Sequence, residues 1–333
     1  MIAIVHHPDY VAPAPGSPQS STLRGGAPGP PQSGTLRGGV PARSTYQWDK
    51  NGLIRDLLLA QGAGIAWHRP DPAPIAWLEA VHDPDYVAQV IEARVPREKE
   101  RRIGFPVTAV VARRARVVPG GTYLAARLAL AHGFAANSAG GSHHALAETG
   151  AGFCVFNDLA VSAVQLAAEG VRTLIVDCDV HQGDGTAALT AGHPAIATYS
   201  IHAEKNFPVR KAQSTLDIAL ADGTGDAAYL ETLEASLTPL LDGVAPDLIL
   251  YQAGVDPFAG DRLGRLALTQ DGLDARERLI ARLATERGLP LASTVGGGYG
   301  TDAMEVARRH VRSMLTLSDA FDLARLKEKD LSR

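Results

Sequence analysis

Arg172 to Gly185 reads RTLIVDCDVHQGDG, and its two halves make different physical demands. Residues 172–176 are an apolar, β-branched run of the kind found in strands buried on both faces. The next five, Asp177-Cys178-Asp179-Val180-His181, alternate ionisable with apolar. On extended backbone, residues two apart share a face, so Asp177, Asp179 and His181 point the same way. Three ionisable groups on one face of an apolar sheet are costly unless they are paired or hold a metal. Gly183 and Gly185 then let the backbone turn sharply past them. A plain polar turn would need only one such aspartate. The D-x-D-x-H alternation followed by QGDG favours a metal site.

Outward from this stretch the pattern repeats. Residues 2–5, 195–201, 247–252 and 290–295 read as further strands. Residues 51–61, 83–93, 156–169, 225–241, 269–287 and 302–317 read as helices, as does an Ala/Leu-rich stretch from Pro119-Gly120-Gly121 to Ala131. Strands alternating with helices predict an α/β fold, a mainly parallel β-sheet with helices on both faces. In such sheets the ligand lies beyond the carboxyl ends of the strands. No composition shift follows Ser44, so a single domain over 1–333 is expected. One anomaly interrupts it. Ala14 to Gly26 reads APGSPQSSTLRGG and Ala27 to Gly39 reads APGPPQSGTLRGG. This tandem repeat has almost nothing to bury. It predicts a flexible Pro/Gly/Ser-rich insertion over about 12–44, hanging free or acting as a lid.

Three more polar clusters sit at predicted strand ends. Gly140-Gly141-Ser142-His143-His144 leads into Gly152-Phe153-Cys154-Val155-Phe156-Asn157-Asp158. Asp256 follows the strand at 247–252 and can add a second carboxylate to a metal, or be a solvated turn residue. Gly296-Gly297-Gly298-Tyr299 follows the strand at 290–295, where a glycine run lets a tyrosine hydroxyl approach a polar site. One histidine and two aspartates make an N/O site suited to Zn²⁺, Fe²⁺ or Mn²⁺. Such an ion activates water and polarises a carbonyl. A histidine pair moves protons, and a tyrosine hydroxyl stabilises an oxyanion. The assembled chemistry is metal-assisted hydrolysis of an amide or a related C–N bond.

Together, GGSHHA, GFCVFND, DCDVHQGDG, GVDPFAGDRLG and GGGYG resemble the histone deacetylase and acetylpolyamine amidohydrolase superfamily. The likeness runs from about Asp49 to Leu317 and is closest to the class IV branch and its bacterial relatives, because Gln182 replaces a second histidine. The resemblance implies an arginase–deacetylase fold, one catalytic Zn²⁺ (Fe²⁺ in some members) and removal of an acyl group from a lysine side-chain amine, or alternatively from an acetylpolyamine or another small N-acyl amine. It implies Asp179, His181 and Asp256 as metal ligands and His143 and His144 as the acid–base pair. Asp177 and Asp184 then orient those histidines, and Tyr299 polarises the carbonyl. Gly152 and Phe153 match one tunnel wall, with Phe207 opposite. Leu263 stands where polyamine-specific members carry a glutamate, which tilts the reading away from acetylpolyamines. Asp177, Asp179, His181, Ser200 and Ile201 match a structural site for K⁺. No counterpart of the family's substrate-holding rim aspartate is evident near 103–106.

The remaining composition is permissive. The chain has 333 residues, a net charge of −4, 45% hydrophobic and 20% charged residues. Phosphate binding needs a basic surface, so nucleic acid is not expected as a partner. No apolar stretch approaches the roughly 20 residues of a membrane span. No basic region precedes the short apolar run at Ile2–Val5, so no signal peptide is expected. Cys154 and Cys178 lie in apolar segments as expected of reduced thiols in a cytoplasmic protein. The basic runs at 97–102 and 113–116 read as solvated helix faces. A ureohydrolase would need a two-metal carboxylate set, and a non-catalytic acyl-lysine reader would have a damaged site; neither pattern is present.

Overall fold

The computed structural model describes residues 1–11, 46–62 and 64–331. The repeat insertion expected at 12–44 lies outside them. Eight strands form one sheet in the order β2-β1-β3-β8-β7-β4-β5-β6. They are β1 (Ile2–Val5), β2 (Ile65–His68), β3 (Phe134–Asn137), β4 (Thr173–Asp177), β5 (Ile196–Ala203), β6 (Leu216–Leu220), β7 (Leu248–Gln252) and β8 (Leu291–Thr294). Every pairing is parallel. Residues of alternate parity go to different cores. Leu174, Val176, Ile249 and Tyr251 join the helices Lys50–Ala60, Asp226–Val244, Gln270–Thr285 and Ala303–Leu331 on one face. Ile175, Leu248 and Leu250 join Ala109–His132 and Asp158–Ala168 on the other. Burial on both faces is why these strands read as unbroken apolar runs.

The sheet order explains why the polar clusters meet. β3, β8, β7 and β4 are neighbours at its centre. The four polar clusters follow these four strands, so parallel pairing places them side by side at one edge.

Four expectations need correction. First, Ala109–His132 is one helix that runs through Pro119, not one starting after it. Gly120 and Gly121 serve close packing, because added Cβ atoms would lie 2.1 Å from Asp71 O and 1.9 Å from Tyr10 Oη. Second, β4 stops at Asp177. Asp179 and His181 reach their places by turns, with the Asp179 N–H donating to Asp177 Oδ1 (3.1 Å) and the His181 N–H to Asp179 Oδ1 (3.0 Å). Third, of the 113–116 run only Arg113 is exposed. Arg114 stacks over Trp48 at 4.9 Å, and Arg116 donates to Ala73 O. Fourth, the last helix runs to Leu331 rather than stopping near 317.

A buried ion pair lies beneath the central strand ends. Arg276 and Glu277 are almost fully enclosed and lie 2.6 Å apart. Arg276 Nη1 donates to the carbonyls of Cys178 (3.1 Å) and Gly254 (2.8 Å), tying the turn after β4 to the turn after β7. Tyr251 Oη and Ser313 Oγ donate to Glu277. Removing one partner strands a charge. Arg276→Met should cost about 3–5 kcal/mol of unfolding free energy, and Arg276→Met with Glu277→Gln should cost less. Denaturant titration checks this; a single variant as stable as the wild type would contradict it.

Candidate active site

Asp179, His181 and Asp256 present one ligand atom each, all within 4.8 Å of one another, and all three residues are buried. His181 Nδ1 lies 2.9 Å from Asp179 Oδ1 and 3.2 Å from Asp256 Oδ2. Asp256 Oδ1 accepts from the Val180 N–H, but its buried Oδ2 has no hydrogen-bond partner among the described residues. Asp179 Oδ2 accepts from Gln252 Nε2 (2.9 Å) and the Gly297 N–H (2.8 Å). Position 297 must be glycine, since a Cβ there would sit 2.0 Å from Asp256 Oδ2.

The electrostatics of the cluster ask for a cation. Burial pushes the Asp256 carboxyl up, and the Asp179 charge adds to it, to about 7. Burial disfavours a charged His181, yet Asp179 and Asp256 overcome this and bring its imidazolium up to about 10. His181 and Asp256 therefore hold protons where a divalent ion can sit, while the neighbouring positive charge keeps Asp179 ionised. One nitrogen and two oxygens suit Zn²⁺ or Fe²⁺, so the residues fit a metal.

The histidine pair lies alongside. The two rings are 4.0 Å apart. His143 Nδ1 lies 2.6 Å from Asp177 Oδ2, and His144 Nδ1 lies 2.7 Å from Asp184 Oδ1. Each carboxylate fixes a ring and leaves Nε2 for other work. The two rings titrate differently. Burial lowers the His143 imidazolium, but Asp177 and Asp179 outweigh it and raise it to about 9. Burial and the neighbouring His143 charge lower His144 to about 3, against the pull of Asp184. The two shifts run in opposite directions, favouring the imidazolium at His143 and the neutral ring at His144.

Tyr299 packs against His181 with ring centroids 6.2 Å apart and against Phe153 at 5.7 Å. Burial, then the Asp179 and Asp256 charges, hold its phenol well above its usual pKa, so it remains a donor. Gly152 and Phe153 line the same cavity as His143, Asp179 and Tyr299. Phe207 meets the His144 ring edge-on at 4.8 Å, across from Gly152. Leu263 is not among the residues lining that cavity; its carbonyl accepts from Asn206 Nδ2. Asp177 pairs in register with Ser200, beside Ile201, and Ser200 Oγ meets His202 Nδ1.

Several contributors have roles that their local sequence does not assign. Lys50 is buried in the cavity wall, donates to Gly296 O (2.9 Å), and is pushed down to about 8 by burial despite Asp256. It stands at the start of a helix, in a Trp48-Asp49-Lys50 stretch whose sequence alone leaves a pocket role and helix initiation both open. Asp158 holds the turn before the histidine pair, accepting from the N–H groups of Gly141 and Ser142. Gln252 belongs to a strand end whose apolar run hid it.

Residues 45–315 match the histone deacetylase domain. The chain belongs to the histone deacetylase family. An uncharacterized protein of Picosynechococcus sp. is 41% identical over 311 residues, 92% of this chain and 95% of its own. Histone deacetylase 2 of Arabidopsis thaliana is 32% identical over 200 residues, 59% of this chain and 52% of its own, so the match spans about half of that relative. The crystal structure of an acetylpolyamine aminohydrolase from Burkholderia pseudomallei shares the fold, with a TM-score of 0.72, 22% identity and coverage of 96% of this chain and 99% of its own. This is the arginase–deacetylase fold expected from the motifs. Membership of this metal-dependent family places the chain among the deacetylase hydrolases. Among the described residues, no helix is long and apolar enough to cross a membrane.

Metal uptake must displace the protons now held by His181 and Asp256. At pH 7 His181 lies below its value of about 10 and Asp256 near its value of about 7. Zinc binding should therefore release about one to two protons, and affinity should rise with pH between 6 and 8. Calorimetry in buffers of different ionisation enthalpy measures this. Affinity that is independent of pH would contradict it.

Proposed function

We propose that this chain is a metal-dependent deacylase that hydrolyses the amide between an acyl group, typically acetyl, and the side-chain nitrogen of lysine. The observation that carries the reading is the meeting of Asp179, His181 and Asp256 with the His143–His144 pair and Tyr299 at adjacent strand ends. One eight-stranded sheet supports the whole site, which favours a single domain.

Asp179, His181 and Asp256 would hold zinc, or iron in its place; when bound, the ion supplies a Lewis acid for the carbonyl and acidifies a water. Tyr299 donates a hydrogen bond to the carbonyl oxygen as it gains charge. His144, neutral and anchored by Asp184, accepts a proton from the attacking water. A C–O bond forms, the C–N bond breaks, and His144 returns the proton to the leaving amine. His143, protonated beside Asp177, adds fixed positive charge next to the developing anion. Gly152, Phe153 and Phe207 enclose the apolar stem of the lysine. Leu263 offers no countercharge to a polyamine tail, which favours acyl-lysine over acetylpolyamine.

The test is release of amine, followed by mass spectrometry, from acetyl-lysine peptides, longer acyl-lysine peptides and acetylated polyamines, with and without chelator. Chelator-sensitive release, strongest from the acyl-lysine peptides, is expected. Strongest release from polyamines would overturn the lysine assignment. Tyr299→Phe should lower kcat by about 100-fold or more with bound metal unchanged. Unaltered turnover would remove Tyr299 from the chemistry.

A further inference from the structure

A helix end and two loops border the cavity and are tied together by hydrogen bonds. Arg102 O accepts from the Gly152 N–H (3.0 Å) and Ile103 O from the Phe153 N–H (2.7 Å), so the end of helix Arg97–Ile103 borders one wall. The loop at 204–211 carries Phe207, which covers His144. Asn206 joins this loop to the third, its Nδ2 donating to Leu263 O (2.6 Å) and its Oδ1 accepting from the Arg265 N–H (3.0 Å).

Over 97–103, 204–211 and 261–265, nine basic residues stand against four acidic ones, an excess of positive charge. Arg101 and Arg102 on the first, Lys205 and Arg210 on the second and Arg262 on the third are all exposed. None has an ion-pair partner among the described residues. The other bases nearby are already engaged: Lys211 Nζ donates to Asn206 O and Pro208 O, and Arg265 pairs with Asp222. The acidic groups on the same segments keep their charge and offset the bases only in part, being fewer. Asp261 spends its oxygens on the N–H groups of Leu263, Gly264 and Tyr299, and Glu100 accepts from the Val107 N–H. Glu98 and Glu204 stay exposed. The concentration of free positive charge is notable on a chain whose net charge is −4.

Resting on the deacylase reading above, we infer that this rim selects acyl-lysine carried in an acidic peptide segment. An acylated lysine is neutral, so charge at the rim acts on the residues flanking it and not on the group in the cavity. Exposed charges of this kind guide encounter and reject like-charged partners. They raise affinity for acidic flanks and oppose basic peptides and polyamines. Because the rim does not touch the reacting atoms, the selection falls on KM and leaves kcat unchanged.

The experiment compares three acetyl-lysine peptides of equal length, with acidic, uncharged or basic flanks, on the zinc-loaded protein. At low salt, kcat/KM should favour the acidic over the uncharged peptide by on the order of tenfold, through KM, with the basic peptide slowest. The differences should shrink as salt approaches about 0.5 M, where screening acts within a few ångströms. Arg102→Glu with Arg210→Glu should reverse the order while the uncharged peptide keeps its rate. Equal rates for all three peptides, or a preference for basic flanks, would overturn the inference and leave the deacylase reading intact. No cleavage of any peptide would overturn the deacylase reading and the inference with it. Salt-sensitive binding of a single-stranded oligonucleotide without any preference among the peptides would assign the rim to a nucleic acid instead.

Discussion

Asp179 and Asp256 bring two carboxylates together at the ends of adjacent strands, at 1% and 0% exposure. Two buried like charges in contact are among the costliest arrangements a protein can hold. The surrounding structure is organised to tolerate them. Gln252, the Gly297 N–H and the Val180 N–H donate to their oxygens. His181 lies between them and takes up positive charge. Lys50 and His143 add further positive charge close by. Arg276 fixes the backbone of both turns from below. The Oδ2 of Asp256 has only the His181 ring beside it and no well-formed hydrogen bond, a demand that a metal ion would satisfy.

Much of this was legible in the residues. The strands over 173–177, 248–252 and 291–294 announce themselves as apolar runs because both faces are buried. The polar residues that follow each run are conspicuous against it. Convergence was legible too, since parallel strands send their carboxyl ends to one edge. The order of strands was not, and the adjacency of β3, β8, β7 and β4 is what turns four separate clusters into one site.

What escaped reading has identifiable causes. β3 is Phe-Ala-Ala-Asn, too rich in alanine to stand out, while β2 and β6 are edge strands with partly exposed residues. The Pro119-Gly120-Gly121 triplet looks like a breaker, yet its small residues admit Asp71 and Tyr10 against a continuous helix. The D-x-D-x-H alternation has the period of a strand, whereas the backbone leaves the sheet after Asp177 and aspartate side chains shape the turns. Lys50, Gln252 and Arg276 act through positions distant in sequence, and no local pattern marks them. The cationic rim is dispersed over a helix end and two loops, and the run at 97–102 alone looks like an ordinary solvated face.

The account stands on a metal at the ends of β4 and β7. The most direct test is an anomalous difference map at the zinc edge from crystals of the zinc-loaded protein. The account predicts one strong peak in bonding contact with Asp179, His181 and Asp256. A catalytically active crystal form with its peak elsewhere, or with no peak, would contradict it.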